Sequence, residues 1–182
     1  SVISQYPEDI TLKKKLPFSA RVKSAWFAAN VQKDYNYWYK RTPQLFSSTS
    51  TKYEWGKVRA LYGCDVTSFL HSDFGLTNCE DMLPSYFPVG RKANEGFVKE
   101  SISKFKETVP VCFDFDDFNS QHSISSMKAV LQAWLDVYFS YLSDEQQKSV
   151  EWTINSLDSM VTRFNSIREI ISLSGTLMSG WR

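Results

Sequence analysis

From Ile124 to Tyr141 the apolar side chains return every three or four residues: Ile124, Met127, Leu131, Trp134, Tyr138 and Tyr141. That period predicts a helix with one buried face. Ser143-Asp-Glu-Gln146 follows, a pattern in which a serine hydroxyl and a glutamine side chain cap each other's backbone donors. It predicts a second helix, with Val150, Ile154, Leu157, Val161 and Phe164 as its apolar face. Upstream, the apolar run Val109-Pro-Val-Cys-Phe113 stops at Asp114. A short run of this kind predicts a buried strand that carries acidic side chains to a cleft. Ile170-Ile-Ser-Leu173 predicts another short strand. The expected class is α+β, dominated by helix.

The first half is less regular and shows no internal repeat. Pro7, Pro17 and Pro43 break it into short pieces. Between Arg21 and Tyr39 the aromatic residues Trp26, Phe27, Tyr35, Tyr37, Trp38 and Tyr39 predict a helix or helical hairpin, with Trp26 and Trp38 in the core. Ser47-Ser-Thr-Ser-Thr51 reads as a polar loop, and Lys52 to Tyr62 as a strand or extended arm. Cys64 to Lys92 reads as irregular, with Pro84 and Pro88 as breakers, and Glu95 to Lys106 as a helix.

With 182 residues, 42% hydrophobic and 15% aromatic, the chain can bury one sizeable core or two small ones. The aromatic content argues against disorder. No apolar run approaches the roughly 20 residues that span a bilayer, so no membrane partner is expected. The first residues carry no basic-then-apolar leader, and a start at Ser1 suggests a piece of a longer protein. Cys64, Cys79 and Cys112 have no zinc spacing and are odd in number, which predicts semi-buried, unpaired thiols in a reducing compartment. Up to Ala60 there are eleven Lys and Arg against four Asp and Glu, a net of +7; from Leu61 there are ten against sixteen, a net of −6. A basic half suits a polyanion and an acidic half suits divalent cations, although two solvated faces would look the same.

Two clusters carry chemistry. Asp114, Asp116 and Asp117 lie within four residues, a repulsive arrangement unless a cation or a basic group offsets it. On a strand Asp114 and Asp116 would share a face and Asp117 would point away. Mg²⁺ takes oxygen ligands, usually one or two carboxylates plus substrate phosphate, so phosphoryl transfer is a natural reading. An EF-hand fails, because Phe118 stands where a ligand is needed. An Asp-x-Asp phosphatase is an alternative, as is a solvated acidic turn. The second cluster is Lys52-Tyr-Glu-Trp-Gly-Lys57-Val-Arg59, in which Lys57 and Arg59 would project on one side. Such a pair can clamp a triphosphate, while the plain alternative is an edge strand protected by charge. Basic residues beside aromatics also suit an RNA-binding module without catalysis. His71 has no recognisable partner, and His122 reads as a cap of the helix after it.

In order along the chain, three segments resemble one family. Lys52-Tyr-Glu-Trp-Gly-Lys-Val-Arg-Ala-Leu-Tyr62 resembles the basic fingertip motif F of RNA-dependent RNA polymerases. Asp114-Phe-Asp-Asp-Phe-Asn-Ser-Gln-His122 resembles their motif A, and Ser174-Gly-Thr-Leu-Met-Ser-Gly-Trp-Arg182 the start of motif B. The wording is similar to that of the totivirus group of double-stranded RNA viruses. The resemblance implies part of a right-hand fold, with a fingers region at 1–107 and a palm region at 108–182. It implies Asp114 as the catalytic metal ligand, with Asp117 as a further ligand and Mg²⁺ or Mn²⁺ as cofactor. Lys52, Lys57 and Arg59 would bind the incoming nucleotide, Asn119 would lie at the ribose, and Ser179 and Gly180 would contact nucleotide and template. Implied partners are template and nascent RNA, NTPs and a viral capsid protein, in a virion within the host cytoplasm. The later part of motif B and the Gly-Asp-Asp of motif C are not in the sequence, so the isolated chain is expected to make no RNA.

Overall fold

The computed structural model describes residues 35–90, 93–106, 108–109, 111–167, 169–178 and 181. Its regular elements are helix α1 (Tyr35–Tyr39), strands β1 (Leu45–Glu54) and β2 (Lys57–Cys64), and helices α2 (Val66–Gly75) and α3 (Glu95–Lys104). Helices α4 (Ile124–Tyr138) and α5 (Asp144–Ser156) and strands β3 (Met160–Phe164) and β4 (Glu169–Ser172) follow. Among the described residues the fold is α+β, with one mixed sheet in the order β2-β1-β3-β4. β1 runs antiparallel to β2 and parallel to β3, and β3 runs antiparallel to β4.

The two amphipathic helices form as their periodicity predicts. Ser123 caps α4 by accepting from the Ser126 N–H at 3.1 Å, and Met127, Leu131 and Leu135 form its buried stripe. Tyr141, expected on that stripe, is exposed. The cap is Ser123 and not His122, because a serine oxygen reaches the first-turn amides with its own short side chain. At α5 the Ser143–Gln146 capping box is complete, and Asp144 and Glu145 complement the positive helix start. Leu45, Val150, Leu157 and Met160 are almost fully buried. Each contributes about 1.5–3 kcal/mol relative to exposure.

Four expected elements differ. The Ser47–Thr51 stretch lies inside β1. Ser47 is buried there and donates its hydroxyl to Thr162 of β3 at 2.9 Å, so a polar run becomes a central strand once its hydroxyls find partners across the sheet. The apolar face beyond Leu157 is not helical. α5 ends at Ser156, a single 3-10 turn follows, and Val161 and Phe164 sit on β3, where ladder partners are available from β1 for Val161 and from β4 for Phe164. Part of the stretch expected to be irregular is α2, capped by Asp65, which accepts from the Ser68 N–H at 2.9 Å.

The fourth difference concerns Asp114. Residues 111–115 form no strand, and Val109, Val111 and Phe113 are 89%, 72% and 90% exposed. A strand requires a hydrogen-bonded neighbour, and none of the described residues pairs with this segment. The helix expected from Arg21 lies outside the described residues except for α1 at its end, and Trp26 is among the undescribed positions.

A polar knot beneath α2 was not legible in the sequence. The buried Asp65 carboxylate receives Arg41 at 2.8 Å, the Phe46 N–H at 3.1 Å and the Ser68 hydroxyl at 2.7 Å. His71 is not partnerless: it stacks on Trp152 at 4.3 Å, with its ring nitrogens at 3.3 Å from the Ser149 hydroxyl and 3.4 Å from the Trp38 carbonyl. Cys64 is buried, Cys79 half-buried and Cys112 exposed, and no disulfide joins them.

Candidate nucleotide site

The Lys52–Tyr62 arm is a hairpin and not a single strand. Trp55 and Gly56 form its two-residue tip, and Gly56 has φ +71°, a conformation that glycine adopts without steric cost. Lys52 lies opposite Arg59, and Glu54 opposite Lys57. Directly opposed residues share a face, so all four project together. Glu54 binds Lys52 at 2.5 Å and Arg59 at 3.2 Å. The hydrogen-bonded Lys52 ammonium holds the Glu54 carboxyl below its ordinary value; desolvation opposes this, and Arg59 and Lys57 add to it.

Among the described residues β2 is an edge of the sheet. Beside it runs a cleft of about 950 Å³, lined on one wall by Lys57, Arg59 and Tyr62 and on the other by Asp114, Asp116, Asp117 and Asn119. Residues some 55 positions apart therefore meet at one opening. Lys52 does not line it and is committed to Glu54. Among the described residues no ion pair joins the two walls. A basic and an acidic surface thus face the same space.

The acidic wall owes its form to a turn. Asp117 adopts φ +46°, and the 3-10 turn Phe118–Gln121 follows it. Aspartate is among the few residues that tolerate this backbone. The Ser120 hydroxyl donates to the Asp117 carboxylate at 2.6 Å, and the Gln121 amide donates to the Asp116 carbonyl at 2.6 Å. The turn brings Asp117 to the cleft, whereas a continuous strand would have pointed it away. Among the described residues no group of three or more acidic, histidine or cysteine side chains converges into a metal cage. Carboxylate oxygens at the cleft do match in kind the one or two ligands that Mg²⁺ takes when substrate phosphates supply others.

The turn is held from behind. The Asn119 carbonyl accepts the Leu177 N–H at 2.8 Å, and the His122 carbonyl accepts the Thr176 N–H at 2.9 Å. Met178 is buried with its sulfur 3.8 Å from that of Cys64, at the end of β2. The His122 ring packs edge-on to Phe118 at 4.6 Å, and its buried Nε2 has no hydrogen-bond partner among the described residues. Ser179 and Gly180 lie outside the described residues. Sequence reasoning missed Glu54 and Thr176 at this site. The alternating charges of Lys52-Tyr-Glu54 were the available signal for the first.

Comparison with known proteins agrees with the motifs. A family model for viral RNA-directed RNA polymerase matches residues 6–182. The chain is 46% identical over its whole length to the probable RNA-directed RNA polymerase of Saccharomyces cerevisiae virus L-BC, and spans 12% of that protein. It is 44% identical over 141 residues, 77% of the chain, to that of Saccharomyces cerevisiae virus L-A, and spans 9% of it. Both are totiviruses. The probable polymerase of Leishmania RNA virus 1 - 1 (isolate Leishmania guyanensis) is 27% identical over 97% of the chain, which spans 20% of that protein. No solved structure matches. A family model that matches nearly the whole chain and curated relatives at 44–46% identity lead to one conclusion: this chain belongs to the viral RNA-directed RNA polymerases.

Proposed function

We propose that the cleft beside β2 is the nucleotide site of a totivirus-type polymerase, within the fingers (1–107) and upper palm (108–182) of a right-hand fold. The observation that carries this reading is the joint lining of one opening by Lys57, Arg59, Asp114, Asp117 and Asn119. In the reaction an RNA 3′-hydroxyl oxygen bonds to the α-phosphorus of an NTP. The bond from that phosphorus to the bridging oxygen breaks, pyrophosphate leaves, and the hydroxyl proton is released to solvent. Lys57 and Arg59 hold the triphosphate, Lys as a point charge and Arg as a planar donor fork. Asn119 offers a neutral hydrogen-bonding group to the ribose, and Ser179 and Gly180 contact nucleotide and template. Asp114, with Asp117, would hold Mg²⁺ or Mn²⁺, which supplies charge stabilisation to the transferring phosphoryl group when bound. Base choice comes from pairing with the template RNA, and the protein's share is positioning and charge compensation.

The setting follows from the same reading: template and nascent RNA as partners, a capsid protein around or joined to the polymerase, and activity inside a virion in the host cytoplasm. No helix among the described residues is long and apolar enough to cross a membrane. Primer extension with the full-length polymerase tests the assignment. Asp114→Asn is expected to cut synthesis by orders of magnitude with an unchanged circular dichroism spectrum. Full activity in the folded variant overturns it.

A further inference from the structure

Thr176 has φ +107°. For a β-branched residue this is a genuine outlier, and such backbone persists only where its surroundings over-determine it. The surroundings are specific. Its N–H donates to the His122 carbonyl, and its hydroxyl donates to the Asn119 carbonyl at 3.2 Å. Gly175 pairs with Ser123 in an isolated bridge, and a Cβ on Gly175 would lie 2.9 Å from the His122 oxygen. Segment 175–177 is therefore pressed against the turn that carries Asn119. Met178, buried beside Cys64, anchors it on the other side.

Glycine would accept this backbone at no steric cost. Threonine adds two things: a hydroxyl on the Asn119 carbonyl and a side chain at the cleft, which Thr176 also lines. With the Leu177 N–H and the Thr176 hydroxyl together, both lone pairs of that carbonyl are engaged. The peptide plane after Asn119 is then pinned from two directions. Pinning this carbonyl fixes where the Asn119 backbone and Cβ lie, and so the part of the cleft its side chain can reach.

We infer that Thr176 is a positioning residue for sugar selection: it holds Asn119 where its side chain meets a ribose 2′-hydroxyl and disfavours a 2′-deoxynucleotide. The inference rests on the reading of the cleft as the nucleotide site. A site built to hydrogen-bond a hydroxyl rejects the analogue without it only if the protein group is held in place. Loss of the Thr176 hydroxyl would let residue 119 shift and leave triphosphate binding by Lys57 and Arg59 in place.

The test uses the full-length polymerase and compares kcat/KM for an NTP and its matching dNTP on one template. Thr176→Val keeps the β-branched shape and removes the hydroxyl; the NTP-to-dNTP ratio should fall about fivefold, the factor that the net worth of one hydrogen bond corresponds to. Thr176→Gly also lacks the hydroxyl but relieves the backbone. It should show the same fall, and it keeps the test readable if the valine variant does not fold. Thr176→Ser should restore the wild-type ratio. Asn119→Ala is the reference and should lower the ratio at least as far. If Asn119→Ala lowers the ratio and the hydroxyl-free variants do not, this inference fails alone. If Asn119→Ala also leaves it unchanged, the ribose assignment fails with it. A change in thermal stability without a change in ratio would make Thr176 a structural residue only, and would likewise overturn the inference.

Discussion

The imidazole of His71 lies nearly parallel to the indole of Trp152, with ring centroids 4.3 Å apart and 22° between planes. This stack joins α2 to α5 in the interior, and Tyr39 closes it edge-on at 4.6 Å. Burial pushes the His71 pKa down to about 4; Arg41 acts in the same direction, while the Trp38 carbonyl and Asp65 oppose.

A pH dependence of stability follows. The folded pKa lies below the ordinary value of 6.5, so the unfolded chain takes up the proton first as pH falls. The contribution of neutral His71 is complete above pH 6.5 and is lost progressively towards pH 4. At pH 5 the loss should be on the order of 2 kcal/mol. Urea unfolding at pH 7 and pH 5 reads it as the difference between wild type and His71→Phe, which keeps a ring on Trp152 and cannot titrate. Equal pH slopes in the two proteins would refute the assignment.

Gly75 sits where α2 crosses α5. A Cβ there would come within 2.8 Å of Val150 Cγ2 and 3.0 Å of the Val150 backbone nitrogen. Gly75→Ala gains about 1 kcal/mol of helix propensity. Overpacking against a helix backbone costs about 1–3 kcal/mol, and a backbone atom cannot rotate aside. The net effect should be a loss of about 1 kcal/mol, seen as a melting temperature lowered by a few degrees. A raised melting temperature would show that the two helices can separate freely.

The hairpin separates three cations by role. Both Lys52 and Arg59 pair with Glu54, but only Lys57 and Arg59 line the cleft. In the full-length polymerase, Lys57→Ala or Arg59→Ala should lower kcat/KM for NTPs by about 10- to 100-fold, the range of one charge-assisted hydrogen bond. Both KM and kcat should move. Lys52→Ala should cost less than either, since it removes a neighbour of Arg59 and leaves the cleft lining intact. Steady-state kinetics on a homopolymer template decides this, and a Lys52 effect equal to that of Lys57 would place Lys52 in the cleft after all.

What the sequence determined by itself is local. The three-and-four spacing of Met127 and Leu131, the Ser143–Gln146 capping box and the short run at Ile170 each carry their structure within a few residues. The motif wording carried the family in the same way, because residue identity and order need no coordinates. The tertiary structure decided whatever depended on a distant partner. Ser47 became a central strand residue because Thr162 meets its hydroxyl, and Val161 left the helical pattern because β1 offers β3 a ladder. His71 acquired its environment from Trp38, Ser149 and Trp152, which are remote in the sequence. At the site, the residue types at 57, 59, 114 and 119 were legible in the sequence. Their arrangement was not: a positive φ at Asp117 turns the acidic wall, and Asn119 is pinned by backbone and hydroxyl donors from residues 176 and 177. Hydrogen bonds across more than fifty residues leave no periodicity to read, which is why the sequence named the parts and the folded chain set their aim.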